Sequence, residues 1–158
     1  MTDGPQAGGP QEPRTFTRSR ARDVGDAVTS VFVRLGLVPG TSLLTTRGRR
    51  SGLPRTNPAT LVTLDGRRWL VAPYGVVSWV RNVGADPRVL LRRGIARQVC
   101  VVREASAEEA GPVLQRYLRL SRPTRPYFTA TPDSPVADFV AEADRHPVFE
   151  LVPYDAQR

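Results

Sequence analysis

The sequence contains no lysine: all 23 basic residues among its 158 are arginine. That excludes a Schiff-base lysine and the phosphate-binding lysine of a Walker loop. Cysteine and histidine occur once each, as Cys100 and His146. Neither an intrachain disulfide nor a His/Cys zinc cluster is therefore possible, and no metal site is expected. A lone thiol fits a reducing compartment, and Cys100, set in an apolar run, reads as a small core residue rather than a nucleophile. His146 precedes Pro147 at the start of an expected last strand and has no Ser or Cys nucleophile motif to serve, so a structural or surface role is expected. No stretch approaches the roughly 18 apolar residues of a membrane span, and the N-terminus has no apolar signal core. The expected location is cytoplasmic.

What is present is ordinary in bulk and unusual in charge. A hydrophobic fraction of 40% and a charged fraction of 24% suit one globular domain with a single sizeable core. The net charge is +8. Uniform arginine, with abundant Ala, Val, Gly and Pro, has the look of coding bias in a GC-rich genome. No nucleic-acid partner is expected from it.

The chain is organised around Leu43 to Pro58. The Thr-rich apolar run Thr41 to Thr46 predicts a strand. It breaks at Gly48, carries Arg47, Arg49 and Arg50 close together, turns at Ser51-Gly52, and leads through Leu53-Pro54 and Arg55 to a new strand after Pro58. Guanidinium forks suit phosphate and carboxylate oxygens, and Gly48 and Gly52 would let backbone N–H groups approach an anion closely. An anion clamp and a solvated basic hairpin tip both satisfy this pattern.

Along the chain, residues 1–15 are Gly/Pro/Gln-rich and read as a disordered leader, with a single domain over 16–158. A basic arm from Arg14 to Arg22 precedes a helix capped by Asp23, whose apolar positions Val24, Ala27, Val28, Val31, Phe32 and Leu35 keep a helical rhythm. Packing on a sheet and contact with a membrane surface are the two readings of that helix, and the arm leaves peripheral membrane association open. Asp65-Gly66 predicts a hairpin between Pro58 to Leu64 and Arg67 to Pro73. Ser78 is expected to cap a short helix ended by Asp86-Pro87. Arg88 to Arg92 and Ile95 to Arg103 form a further hairpin across Arg93-Gly94. Ser106 and Glu109 form a capping box for a helix to about Leu120, which Pro112 should kink or delay. Ser134-Pro135 starts a helix to about Asp144, with proline at its first position, and Pro147 to Val152 is a last strand. About six strands in hairpins with peripheral helices make a mainly antiparallel, barrel-like α+β domain.

The run Gly48-Arg49-Arg50-Ser51-Gly52-Leu53-Pro54-Arg55-Thr56-Asn57-Pro58, then Val71-Ala72, then Ser78-Trp79-Val80-Arg81-Asn82-Val83 and Ala85-Asp86-Pro87-Arg88-Val89, resembles the deazaflavin-dependent nitroreductase family. These are actinobacterial split β-barrel oxidoreductases that use coenzyme F(420), a 5-deazaflavin with a phosphodiester and an oligoglutamate tail. The match runs in register from Leu43 to Glu104 and more loosely beyond.

The resemblance implies that Arg49, Arg50, Ser51, Gly52 and Arg55, with Thr56, hold the tail phosphate. It implies that Asn57, Pro58 and the strand end Val71, Ala72, Pro73 and Tyr74 flank the deazaflavin, and that Ser78, Trp79 and Asn82 close the pocket. For Trp79 a core anchor is the other reading. F(420) is implied over FMN, because the hairpin offers more anion-binding groups than one phosphate needs. Reduced deazaflavin gives a hydride from C5, so the protein has to hold an acceptor against that face. The sequence departs from better-known reductases at Ala59-Thr60 and Pro73-Tyr74. Tyr74 and Tyr127, with Tyr117 behind them, are the candidate phenols for acid catalysis. Arg119 to Pro132, with Tyr127-Phe128, reads either as a flap over the ring or as a loop wrapping the barrel. Two functions stay open: an F(420)-dependent reductase of a small apolar acceptor such as a quinone, nitro compound or unsaturated ring, and a non-catalytic barrel that binds a fatty acid or stores the coenzyme. The oligomeric state cannot be read from the sequence.

Overall fold

The computed structural model describes residues 41–155. The leader, the basic arm and the helix expected after Asp23 lie outside the described residues. The described residues form six strands: β1 Thr41–Arg47, β2 Pro54–Leu64, β3 Arg67–Val71, β4 Arg88–Arg93, β5 Ala96–Glu104 and β6 Val148–Pro153. They close into a barrel in the order β1-β2-β3-β6-β5-β4, every pair antiparallel. Three helices lie between strands: α1 Ser78–Ala85, α2 Ala107–Leu120 and α3 Val136–Ala141. Two 3-10 turns flank α3, at Arg122–Tyr127 and Ala143–Arg145. The expected α+β antiparallel barrel is the observed fold. No helix among the described residues is long and apolar enough to cross a membrane.

Alternation along the strands builds two cores rather than the single one expected. In β3 and β6, Leu70, Phe149 and Leu151 point into the barrel and join Leu44, Val89, Leu91, Cys100 and Val102. Their neighbours Trp69, Val71 and Val148 point outward and join Val113, Leu114, Leu118 and Phe139 in a second core beneath α2 and α3. Cys100 is fully buried in the barrel, as expected of a small core residue, and burial pushes its thiol pKa up.

Several boundaries differ from expectation. β2 starts at Pro54, because Arg55, Thr56 and Asn57 pair with Thr46, Thr45 and Leu44. The prolines are tolerated because the far edge of β2 is paired with β3 only from Leu61 to Leu64. β3 stops at Val71, two residues early. The Asp65-Gly66 turn forms as expected, both residues at positive φ, 51° and 72°. The β4–β5 turn falls at Gly94-Ile95, which leaves Ile95 exposed at a hairpin tip. Helix α1 is preceded by Val77 with no side-chain cap, so Ser78 is its first residue and not its cap. The Ser106/Glu109 capping box is present, and α2 runs through Pro112 without delay. Its buried face, from Ala110 and Val113 to Tyr117 and Leu118, outweighs the one backbone bond that proline removes. Pro135 caps α3 instead of occupying its first turn, and α3 ends at Ala141, followed by the turn Ala143–Arg145.

Candidate functional site

The β1–β2 hairpin tip is shaped by its glycines. Gly48 N–H donates to the Leu53 carbonyl and Gly52 N–H to the Gly48 carbonyl, each at 2.8 Å. A β-carbon on Gly48 would lie 2.9 Å from Ser51 Oγ and 3.0 Å from the Leu53 carbonyl oxygen, and Gly52 has φ +69°. Both amides are thus consumed inside the turn. Neither glycine's own N–H is therefore available to an anion, which leaves the guanidinium groups of Arg47 and Arg49 as the charged donors at this tip. Ser51 Oγ also works inside the turn, accepting the Leu53 N–H at 3.2 Å.

One buried side chain fixes the tip to α1. Asn82 Oδ1 accepts from Arg49 N–H at 3.2 Å and from Arg49 Nη1 at 3.3 Å, while its Nδ2 donates to Thr46 Oγ1 at 3.1 Å. Asn82 and Thr46 are both buried. Asn82 therefore holds the Arg49 side chain from below and does not close a pocket with its own surface. Between hairpin and helix lies a cleft of about 610 Å³, lined by Arg47, Gly48, Arg49 and Gly52 on one side and Ala85 to Arg88 on the other. Its one carboxylate, Asp86, is bound by Arg88 at 3.2 Å, which holds the carboxyl below the usual carboxylate range. Three arginines against one carboxylate leave the cleft net positive. Arg47 and Arg88 were not among the expected site residues. The arginine cluster pointed to Arg47, but nothing local marked Arg88, which strand pairing brings opposite. Arg50 and Arg55 are exposed and do not line this cleft.

Strand alternation sorts the residues of β2. Asn57 pairs with Leu44, whose side chain fills the barrel, while Pro58 pairs with Leu43 on the opposite face. Asn57 and Pro58 are therefore on opposite faces of the sheet and cannot both flank one ring through their side chains. Thr56 Oγ1 lies 2.9 Å from Thr45 Oγ1. At the exit of β3, Val71 and Ala72 are core residues, one in each core, so their side chains do not face a ligand. Ala72 N–H is bound to the Pro147 carbonyl at 2.8 Å. Pro73 and Tyr74 are half-buried, and Tyr74 meets Tyr127 edge-on at 4.8 Å between ring centroids. His146 Nδ1 donates to the Pro73 carbonyl at 2.9 Å. Ser78 is exposed, and Trp79 packs edge-on against Phe149 at 5.6 Å, which makes it a barrel anchor.

Tyr117 lies on the buried face of α2, with its pKa raised by that burial, and is corrected from pocket to core. The Arg119 to Pro132 segment wraps the barrel: Thr124, Phe128 and Ala130 are buried, and Arg125 Nε donates to the Leu118 carbonyl at 3.1 Å. Phe128 stacks on His146 at 3.8 Å. The flap expectation is corrected for Phe128, and Tyr127 alone of the pair reaches toward Tyr74.

A closed antiparallel barrel with an arginine-lined hairpin cleft, beside a β2 edge that no described strand pairs from Pro54 to Thr60, suits a split-barrel oxidoreductase with an anionic coenzyme. Residues 13–140 match the F(420)H(2)-dependent quinone reductase family, and the chain belongs to that family. Its coenzyme is F(420). Among solved structures, the chain is similar to an F(420)-H(2) dependent reductase with 26% identity and a TM-score of 0.51, over 72% of this chain and 94% of that one. It is similar in fold to a conserved hypothetical protein from Mycobacterium tuberculosis, with 16% identity and a TM-score of 0.50, over 92% and 87% of the two chains. No curated protein matches the chain. The positive cleft and the β2 edge from Pro54 to Thr60, which no described strand pairs, fit a coenzyme with an anionic tail and a flat, hydrogen-bonding ring.

Proposed function

We propose that this protein reduces a small apolar acceptor, a quinone first among them, at the expense of reduced F(420). The observation that carries this reading is the net-positive cleft between the β1–β2 hairpin and α1. Arg47, Arg49 and Arg88 bind the phosphate and tail carboxylates there, with Arg50 and Arg55 completing the charge from the exposed hairpin. The β2 edge that no described strand pairs and the loop from Pro73 to Tyr74 orient the ring, and Tyr74 with Tyr127 excludes water and presents a phenol to the acceptor. When bound, the reduced coenzyme supplies the hydride.

The test is anaerobic mixing of the protein with reduced F(420) and a soluble naphthoquinone, following the return of oxidised F(420) fluorescence. Oxidation well above the protein-free rate supports the reading. Binding of F(420) without quinone-dependent oxidation would leave a binding protein for a fatty acid or the coenzyme. Arg49→Ala should weaken F(420) binding by about 1.5–3 kcal/mol in a fluorescence titration, as expected for a charge-assisted bond. Lysine at that position should restore only part of the loss.

A further inference from the structure

His146 stands behind the β3 exit loop, and its surroundings leave it one working state. It is buried, its ring stacked on Phe128 at 3.8 Å. Nδ1 faces the Pro73 carbonyl at 2.9 Å, and a carbonyl only accepts, so Nδ1 carries the proton. Among the described residues Nε2 has no hydrogen-bond partner, and it faces Glu142 Oε2 at 3.6 Å. Glu142 does not need the imidazole: it accepts Thr129 N–H at 3.0 Å, Ala130 N–H at 2.9 Å and Arg145 Nη2 at 2.9 Å. Burial lowers the His146 pKa against the opposing pull of Glu142, which favours the neutral ring. The same segment bonds the loop once more and passes close to it at Gly75. Pro147 carbonyl accepts Ala72 N–H at 2.8 Å, and a β-carbon on Gly75 would sit 3.4 Å from the Arg145 carbonyl.

We propose that His146 is a positioning residue of the coenzyme site, whose Nδ1–H sets the Pro73–Tyr74 segment at the height the deazaflavin ring requires. The proposal rests on the reading above that this segment flanks the ring. A donor on the buried side of Pro73 fixes the one carbonyl that precedes Tyr74, so the Tyr74–Tyr127 pair inherits its position from His146. The histidine touches neither coenzyme nor acceptor.

Two variants separate positioning from packing. His146→Phe keeps the ring stack and loses the donor, while His146→Asn places an amide N–H near the Nδ1 position. Hydrogen exchange is followed at Gly75 and Val77, whose amides close the loop on Ala72 and Gly75, and F(420) affinity is measured alongside. Loss of one neutral hydrogen bond should speed loop exchange about 5- to 10-fold in His146→Phe, with F(420) affinity falling in parallel and both recovering in His146→Asn. Unchanged loop exchange in His146→Phe overturns the proposal. Faster exchange with unchanged F(420) affinity also overturns it, since the loop would not bear on the ring. Because the chain has a single histidine, nitrogen NMR of the unmodified protein reads its tautomer without ambiguity. A ring protonated at Nδ1 supports the proposal even if a variant fails to fold, and a neutral ring protonated at Nε2 alone overturns it. Failure of the unmodified protein to bind F(420) sinks the proposed function itself, a result distinct from any seen only in the variants.

Discussion

Asn82 shows how a buried residue governs an exposed site. Three hydrogen bonds from one carboxamide join β1, the hairpin tip and α1. Asn82→Leu leaves Thr46 Oγ1 and the Arg49 amide without their partner, and should cost about 1–3 kcal/mol in urea unfolding. F(420) affinity should fall too, although Asn82 itself presents no surface to the ligand. Retained affinity in a correctly folded Asn82→Leu protein would show that Arg49 needs no anchoring. Glu150 makes a second residue-scale prediction. It lies between Arg67 at 2.6 Å and Arg103 at 2.8 Å, and the hydrogen bond from Arg67, then that from Arg103, holds its pKa at about 2. Glu109 is held at about 2 as well, by Arg103 and the Ser106 N–H. Both carboxyls titrate near 4.5 when unperturbed, so their stabilisation is complete above that pH and is lost as pH falls from 4.5 toward 2. Glu150→Gln should lower Tm at neutral pH and flatten its acid decline, as melting curves across that range will show. An equally steep decline in the variant would place the acid sensitivity elsewhere.

Elements meet most tightly where α2 crosses α3. A β-carbon on Gly111 would fall 2.5 Å from Val140 Cγ2 and 3.1 Å from Val136 Cγ1, so the glycine sets how closely the two helices pack. Gly111→Ala gains helix propensity but overpacks this contact, with an expected net cost of about 1–3 kcal/mol in chemical unfolding. A stabilised variant would show that α3 can move aside. Elements with strong local signals were legible in the sequence: the Asp65-Gly66 turn, the Ser106/Glu109 capping box, and β1. Where tertiary pairing decided, local signals misled. Pro54 and Pro58 argued against a strand, yet pairing with β1 holds Pro54 to Asn57 extended. Pro112 argued for a break in α2, and the burial of its apolar face overrode it. Phe128 sat in a polar, proline-rich stretch that looked unfit for a core, and only the fold reveals the His146 ring waiting to stack on it.

At the scale of the molecule, the barrel wall serves two cores at once, one inside and one under α2 and α3, and among the described residues nothing pairs with the β2 edge from Pro54 to Thr60. The hairpin half of the site was legible because arginine and glycine cluster within one short stretch. Arg88 and the service of Asn82 were not, since both depend on α1 and β4 folding back against the hairpin tip. Nor was the role of His146, whose sequence neighbours say nothing of Pro73. We propose that the arginine cleft is built for the long anionic coenzyme of this family rather than for a single phosphate. Fluorescence titration of the purified protein with F(420), repeated in competition with FMN at equal concentration, tests it most directly. The expected result is saturable F(420) binding that FMN does not displace and that weakens steeply with salt, as a multiply charged contact must. Displacement of F(420) by equimolar FMN, or F(420) binding indifferent to salt, would contradict it.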